Sequence, residues 1–251
     1  MVLDWKKASA AGCIAAAAAI AALGWGQASD GQEVAGGLTV IPVSFEMAPG
    51  RMTAILTIQN HTSREVDFQV RPYAWDQSGG PDRLTATDEL VVSPPLGTVP
   101  IGGEQVVRLV LRQPAQGQET TYRILVDEVP PPRQPGVVNF ALRLSIPVFV
   151  EPAAREAPKV RWSVQSDAGA YYLVAVNSGG RHEAFRDMAL TAGGRPIPLE
   201  QNVSPYVLPR ATRRWRILST DVAPFREALR LTARSDSGPI DQPIAALSAD
   251  R

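Results

Sequence analysis

The stretch VVNFALRLSIPVFVEP, Val137 to Pro152, decides how the rest of the chain is read. Val138, Phe140, Leu142, Leu144 and Ile146 alternate with Asn139, Ala141, Arg143 and Ser145. A period of two is that of a strand with one apolar face. The run is longer than an ordinary strand of about 5–6 residues. Pro147 has no backbone N–H to donate, so the half beyond it is not expected to be a central strand. The alternation leaves two readings open: a core strand of a β-sandwich, or a strand lent to another protein.

Upstream, strand-like segments recur between turn signals. Leu38 to Phe45 is extended and interrupted by Pro42; Thr53 to Gln59 follows. Val66, Phe68 and Val70 alternate with polar neighbours, while Tyr73 and Trp75 alternate in the opposite parity. Pro72 lies at the change, which predicts a bulge or a strand break there. Val106 to Leu111 and Thr121 to Val129 are further strands. Short strands at this spacing, with no helical periodicity, predict an all-β, immunoglobulin-like sandwich over 37–150. The 22 prolines and 20 glycines suit a chain of many short strands and turns.

Downstream, Glu151 to Lys159 is a proline-containing linker. The pattern then restarts at Val160 to Val164 and Tyr171 to Asn177 and runs to Ala228–Ala233, which predicts a second immunoglobulin-like domain over 155–251. Leu56-Thr57-Ile58-Gln59-Asn60 is echoed by Leu173-Val174-Ala175-Val176-Asn177, as two related sandwiches or chance would produce. The basic run from Arg210 to Arg216 reads as a solvated face.

Residues 1–28 read as a signal peptide. Lys6 and Lys7 precede an alanine-rich run from Ala8 to Gly24, and Gly26-Gln27-Ala28 has the small-x-small form of a cleavage site. The run sits at the bottom of the membrane-spanning range, so export with no stable membrane insertion after cleavage is expected.

The 25 basic and 25 acidic residues give a formal net charge of +0, so no electrostatic case for nucleic acid arises. Cys13 is the one cysteine, which leaves the body of the protein without a disulfide framework or a cysteine-based metal site. His61 and His182 each sit beside turn residues and are expected to be surface histidines. Asp76, Asp82, Asp88 and Glu89 lack calcium-loop spacing. No phosphate loop or nucleophile elbow is present. The sequence therefore predicts a protein that is not an enzyme and that uses no cofactor or metal.

More specific than this are Tyr122-Arg123-Ile124-Leu125-Val126-Asp127-Glu128-Val129-Pro130-Pro131 and Leu142-Arg143-Leu144-Ser145-Ile146-Pro147-Val148-Phe149-Val150. With Leu56 to Asn60, Ala74-Trp75-Asp76-Gln77 and Tyr206-Val207-Leu208-Pro209, they resemble the PapD-like periplasmic chaperones of the chaperone–usher pilus pathway. The Trp-x-Gln and Tyr-Arg forms are most similar to its archaic, spore-coat-like branch. The resemblance implies two immunoglobulin-like sandwiches in an L-shaped arrangement, a periplasmic location, pilin subunits as partners and delivery to an outer-membrane usher. It also implies that the opening stretch fills the groove of a subunit that lacks its own last strand. Val138, Phe140, Leu142 and Leu144 would be the groove-filling residues of that donor strand.

The family's better-known members anchor the subunit's C-terminal carboxylate with an Arg on the first strand and a Lys just past the donor strand. The matching positions here are Ser44 and Pro147, which carry no charge. The resemblance then requires another cation: Arg123 first, Arg108 second and Arg143 third. Two rival readings remain, an exported two-domain structural or adhesion protein and an exported hydrolase with a β-rich body.

Overall fold

The computed structural model describes residues 37–132, 140–201, 204–219 and 228–244. The expected signal peptide and Val138 lie outside the described residues. Both β-domains belong to one compact unit, Ala35–Arg251.

The first domain contains β1 (Leu38–Ile41), β2 (Phe45–Met47), β3 (Thr53–Asn60), β4 (Val66–Asp76), β5 (Arg83–Ala86), β6 (Leu90–Ser93), β7 (Leu96–Val99), β8 (Glu104–Leu111), β9 (Thr120–Val129) and β10 (Arg143–Val150). One sheet runs β1-β3-β8-β6; the other runs β2-β10-β9-β4-β5, with β7 also on β4. Alternate residues of both sheets, among them Leu56, Ile58, Phe68, Leu109, Ile124 and Val148, meet in one buried core. This is an immunoglobulin-like sandwich, its core strands turning an apolar parity inward.

Two proline readings are corrected. β4 continues through Pro72, and its register with β9 is unbroken from Asp67↔Val129 to Ala74↔Tyr122. On β4's other flank, β7 ends its pairing at Gln69 and β5 begins at Tyr73, so Pro72 falls in the gap and withholds no sheet hydrogen bond on that side. The parity does not change either. Phe68, Val70 and Ala74 face the first core, while Trp75 lies on the opposite face in a separate apolar cluster.

Pro147 also sits inside a strand. The half beyond it is the central half: Val148 to Val150 pair with β9 on one flank and, in parallel, with β2 on the other. The half before it pairs with β9 alone. The uninterrupted apolar run Val148-Phe149-Val150 reflects burial on both faces.

The second domain contains β11 (Val160–Asp167), β12 (Ala170–Asn177), β13 (Glu183–Ala192), β14 (Arg195–Ile197), β15 (Tyr206–Val207), β16 (Thr212–Ile217), β17 (Leu229–Ser235) and β18 (Gly238–Ile244). Its sheets run β11-β12-β16 and β14-β13-β17-β18, with β15 on β13. Leu173, Phe185, Trp215 and Leu231 centre its core. The basic run is only half solvated. Arg213 shares the buried parity of Trp215 and Ile217, whereas Arg214 and Arg216 point to solvent.

The sequence echo has a structural counterpart. Asn60 and Asn177 each end a strand, are 1% and 0% exposed, and donate side-chain hydrogen bonds to three backbone carbonyls.

Candidate functional site

Among the described residues, β10 from Arg143 to Pro147 has β9 on one flank only; β2 covers the other flank from Val148 onward. Leading into this free edge are Phe140, 89% exposed, and Leu142, 36% exposed. Leu144 is half-buried against the first core. Leu142 is nonetheless tied to β9: its carbonyl accepts from Glu128 N–H at 2.8 Å, and its own N–H donates to the Glu128 carboxylate at 3.2 Å. The strand start is pinned by Asp127, which accepts from Arg143 and, at 2.6 Å, from Arg71. An unpaired strand edge beside exposed apolar side chains is a template for another chain.

Behind this edge the two domains meet. Trp75 of β4 and Phe149 of β10 form an apolar cluster with Leu208, Ala211 and Tyr206 of the second domain. Tyr206 meets Trp75 edge-on, with ring centroids 5.6 Å apart. Gln77 spans the junction: its amide donates to Tyr206 O and Asp82, and its carbonyl accepts from Leu208 N–H at 3.0 Å. Arg213 reaches back to Gly80 O and the Asp82 carboxylate. The linker crosses directly over Gly179, where an added Cβ would lie 2.2 Å from Ala157 O.

The surface-turn reading of His182 is corrected here. The residue is 4% exposed, because the first domain forms the other wall of its turn. Its ring stacks on Phe149, with centroids 3.5 Å apart and planes at 9°. Nδ1 lies 2.9 Å from each oxygen of Glu119.

Beside the aromatic cluster is an open cleft of about 590 Å³, bordered by Trp75, Asp82, Arg123, Ser204, Tyr206 and Arg213. The Arg123 guanidinium lies over the Trp75 ring, 3.8 Å from its centre, and 5.4 Å from that of Tyr206. Among the described residues it has no ion pair, only a 3.4 Å hydrogen bond to Ser145 O. Burial pushes its pKa below the usual arginine value, with the Asp82 carboxylate pulling the other way. Three buried donors bordering the same cleft, Trp75 Nε1, Arg213 Nε and Ser204 Oγ, have no hydrogen-bond partner among the described residues. A cleft of unpaired donors and a partly desolvated cation suits an anionic, oxygen-bearing group.

The other cations expected from the sequence lie elsewhere. Arg108 is exposed on β8, in the opposite sheet. Arg143 is committed to Asp127, and Ser44 is exposed before β2. Arg213 and His182 went unrecognised because the wall that buries each is formed by residues distant in sequence.

Residues 37–156 match the family model of the pili and flagellar-assembly chaperones, PapD N-terminal domain. No curated protein matches the chain. Among solved structures, the chain is similar to a chain of the CsuC–CsuE chaperone–tip adhesion subunit pre-assembly complex from the archaic chaperone–usher Csu pili of Acinetobacter baumannii. The identity is 21% and the TM-score 0.67, over 84% of this chain and 100% of that one. It is also similar to a chain of the Salmonella enterica SafA pilin–SafB chaperone complex, at 19% identity and TM-score 0.56, over 83% and 94% of the two chains. The E. coli chaperone DraB aligns at 19% identity and TM-score 0.54, over 86% and 98%. Residues 37–156 thus match the PapD N-terminal domain of the pili and flagellar-assembly chaperones, and the two-sandwich fold is shared with these solved structures.

Proposed function

We propose that this protein is a periplasmic, non-enzymatic chaperone that binds pilin subunits by strand donation and hands them to an outer-membrane usher. The observation that carries the reading is the half-free β10: one half is held between β2 and β9, the other offers an edge led by exposed Phe140 and Leu142. Val138, Phe140, Leu142 and Leu144 are the residues we assign to the subunit groove. Each large side chain buried there contributes about 1.5–3 kcal/mol before association costs. Leu144 already covers part of its own core and so contributes less than Phe140.

The subunit's carboxylate is assigned to the cleft at Arg123. In support, Arg123 is the one of the three candidate arginines that borders the cleft, and the unpaired donors of Trp75, Arg213 and Ser204 border it too. The sequence carries no phosphate loop, so release would draw on the subunit's own folding energy.

The test is co-expression of the neighbouring pilin subunit with the wild-type protein and with the Phe140→Asp/Leu142→Asp variant. The reading expects soluble subunit with the wild type alone, while the variant keeps its circular dichroism spectrum. Equal rescue by both would remove strand donation as the mechanism.

A further inference from the structure

We propose that His182 is a proton-dependent pin between the two β-domains, tight when its imidazole is doubly protonated and slack when the ring is neutral.

The ring is enclosed by charges from both domains. Glu119, between β8 and β9, places both carboxylate oxygens 2.9 Å from Nδ1 and is itself fully buried. Glu46 of β2 lies 3.6 Å from Nε2. Arg181, in the same turn as His182, reaches Glu46 at 3.1 Å, Glu151 at 3.5 Å and Glu119 at 3.8 Å. Arg155 on the linker pairs with Glu151 at 2.7 Å. Phe149 and the Tyr206 ring complete the walls.

Three carboxylates thus face two guanidiniums, and the imidazolium is the third cation that closes the balance. A neutral imidazole carries one N–H and can serve only one of its two carboxylates. The other nitrogen would then turn a lone pair towards a carboxylate, and the cluster would hold one uncompensated negative charge around the buried Glu119. The ring has little freedom to avoid this. It is stacked on Phe149, His182 N–H donates to Glu119 Oε1 at 3.1 Å, and Glu119 N–H donates to Gly180 O at 3.0 Å.

The sign follows from this geometry. Imidazole is the side chain whose ordinary charge change falls near neutral pH. The contact is tight while both ring nitrogens carry a proton and loosens once one of them is lost. Further into acid a second change enters. Burial pushes the Glu46 carboxyl above the usual carboxylate range, with His182 and Arg181 pulling it down, so Glu46 is neutralised early. Because Phe149 lies on β10, the state of the pin also reaches the strand assigned to the subunit; that extension rests on the function proposed above, whereas the pin does not.

The test uses the whole chain with Cys13→Ser, spin-labelled at Glu104→Cys and Gln165→Cys, one label in each domain. Interdomain distances are measured by double electron–electron resonance from about pH 5 to about pH 9, and imidazole signals are followed by NMR over the same range. His61, exposed in its turn, supplies the second imidazole signal as an internal control. The wild type is expected to show a narrow distribution that broadens at the pH where the His182 signal titrates. His182→Gln and Glu119→Gln are expected to lose that response. A wild-type distribution that stays unchanged while His182 titrates, or a His182→Gln chain that follows the wild type, overturns the pin. Should either variant misfold, the coincidence of the two wild-type curves still decides.

Discussion

Asn60 and Asn177 share a pattern of four side-chain hydrogen bonds in the two β-domains. Each donates through Nδ2 to the carbonyl four residues on, Arg64 O and Arg181 O at 2.7 Å, and to two further carbonyls on a neighbouring segment. Each accepts at Oδ1 from the backbone N–H two residues on, Thr62 or Gly179, at 2.9 Å. The sandwiches are therefore closed by the same device. Asn60→Ala or Asn177→Ala leaves several buried backbone groups without partners, each costing about 1–3 kcal/mol. An overall loss of about 2–4 kcal/mol is expected from either change. Urea unfolding followed domain by domain checks it, and a loss below half a kilocalorie would mean that water replaces the side chain.

Arg123 borders the cleft proposed for the carboxylate, whereas Arg108 lies on the opposite sheet. Charged hydrogen bonds are worth about 1.5–3 kcal/mol, so Arg123→Met is expected to weaken subunit binding by about 10–100-fold. Its loss should cost folding only the cation–π contact with Trp75, about 0.5–2 kcal/mol, since its hydrogen bond to Ser145 O is long. Arg108→Ala, on an exposed face, should do nothing. Isothermal titration with a peptide of the subunit's C-terminal residues, as free acid and as amide, checks both. If wild type and Arg123→Met discriminate acid from amide equally, the anchor lies elsewhere.

Asp127 makes the base of β10 sensitive to acid. Burial raises its pKa, but hydrogen bonds from Arg143 and Arg71 outweigh burial and hold the carboxyl below its ordinary value. A depressed carboxylate contributes stability that is present above the unfolded pKa, about 3.9, and lost as pH falls through the folded one. Wild-type urea midpoints should therefore drop below about pH 4, with a shallower drop in Asp127→Asn. Parallel acid profiles for the two proteins would exclude this carboxylate as the source.

Gly179 is required by proximity and not by backbone conformation. A methyl group there would meet Ala157 O at 2.2 Å, Lys159 N at 2.6 Å and Pro158 Cα at 2.7 Å, all backbone atoms with little room to yield. Gly179→Ala is expected to lift the linker, lower thermal stability and speed proteolysis between Glu151 and Lys159. Unchanged cleavage kinetics would show that the linker accommodates the methyl.

The strands and the two-sandwich plan were legible because each buries one face, and a period of two records that directly. What misled the local reading is what the second domain adds. Trp75 looked out of phase with Val66, Phe68 and Val70 although β4 never breaks. Its face is the outer one, and Tyr206, Leu208 and Ala211, over 130 residues later, make that face a second interior. Phe149 disguised the central half of β10 in the same way, and Arg213 and His182 looked exposed for want of the opposite wall. The Gln77 clamp on Tyr206 and Leu208 could be seen in the sequence only as part of a family resemblance, because its partners are backbone atoms without a residue signature.

The parallel pairing of Phe45 to Met47 with Val148 to Val150 has a consequence for the order in which this molecule comes into being. It joins segments that are synthesised at opposite ends of the first domain, and contacts so remote in sequence close late in folding. Until they close, the resident half of β10 has no parallel neighbour and its free half has no fixed base. A nascent or half-folded copy thus has no strand to lend. On the proposed strand donation, the protein can receive a client only after completing its own sheet.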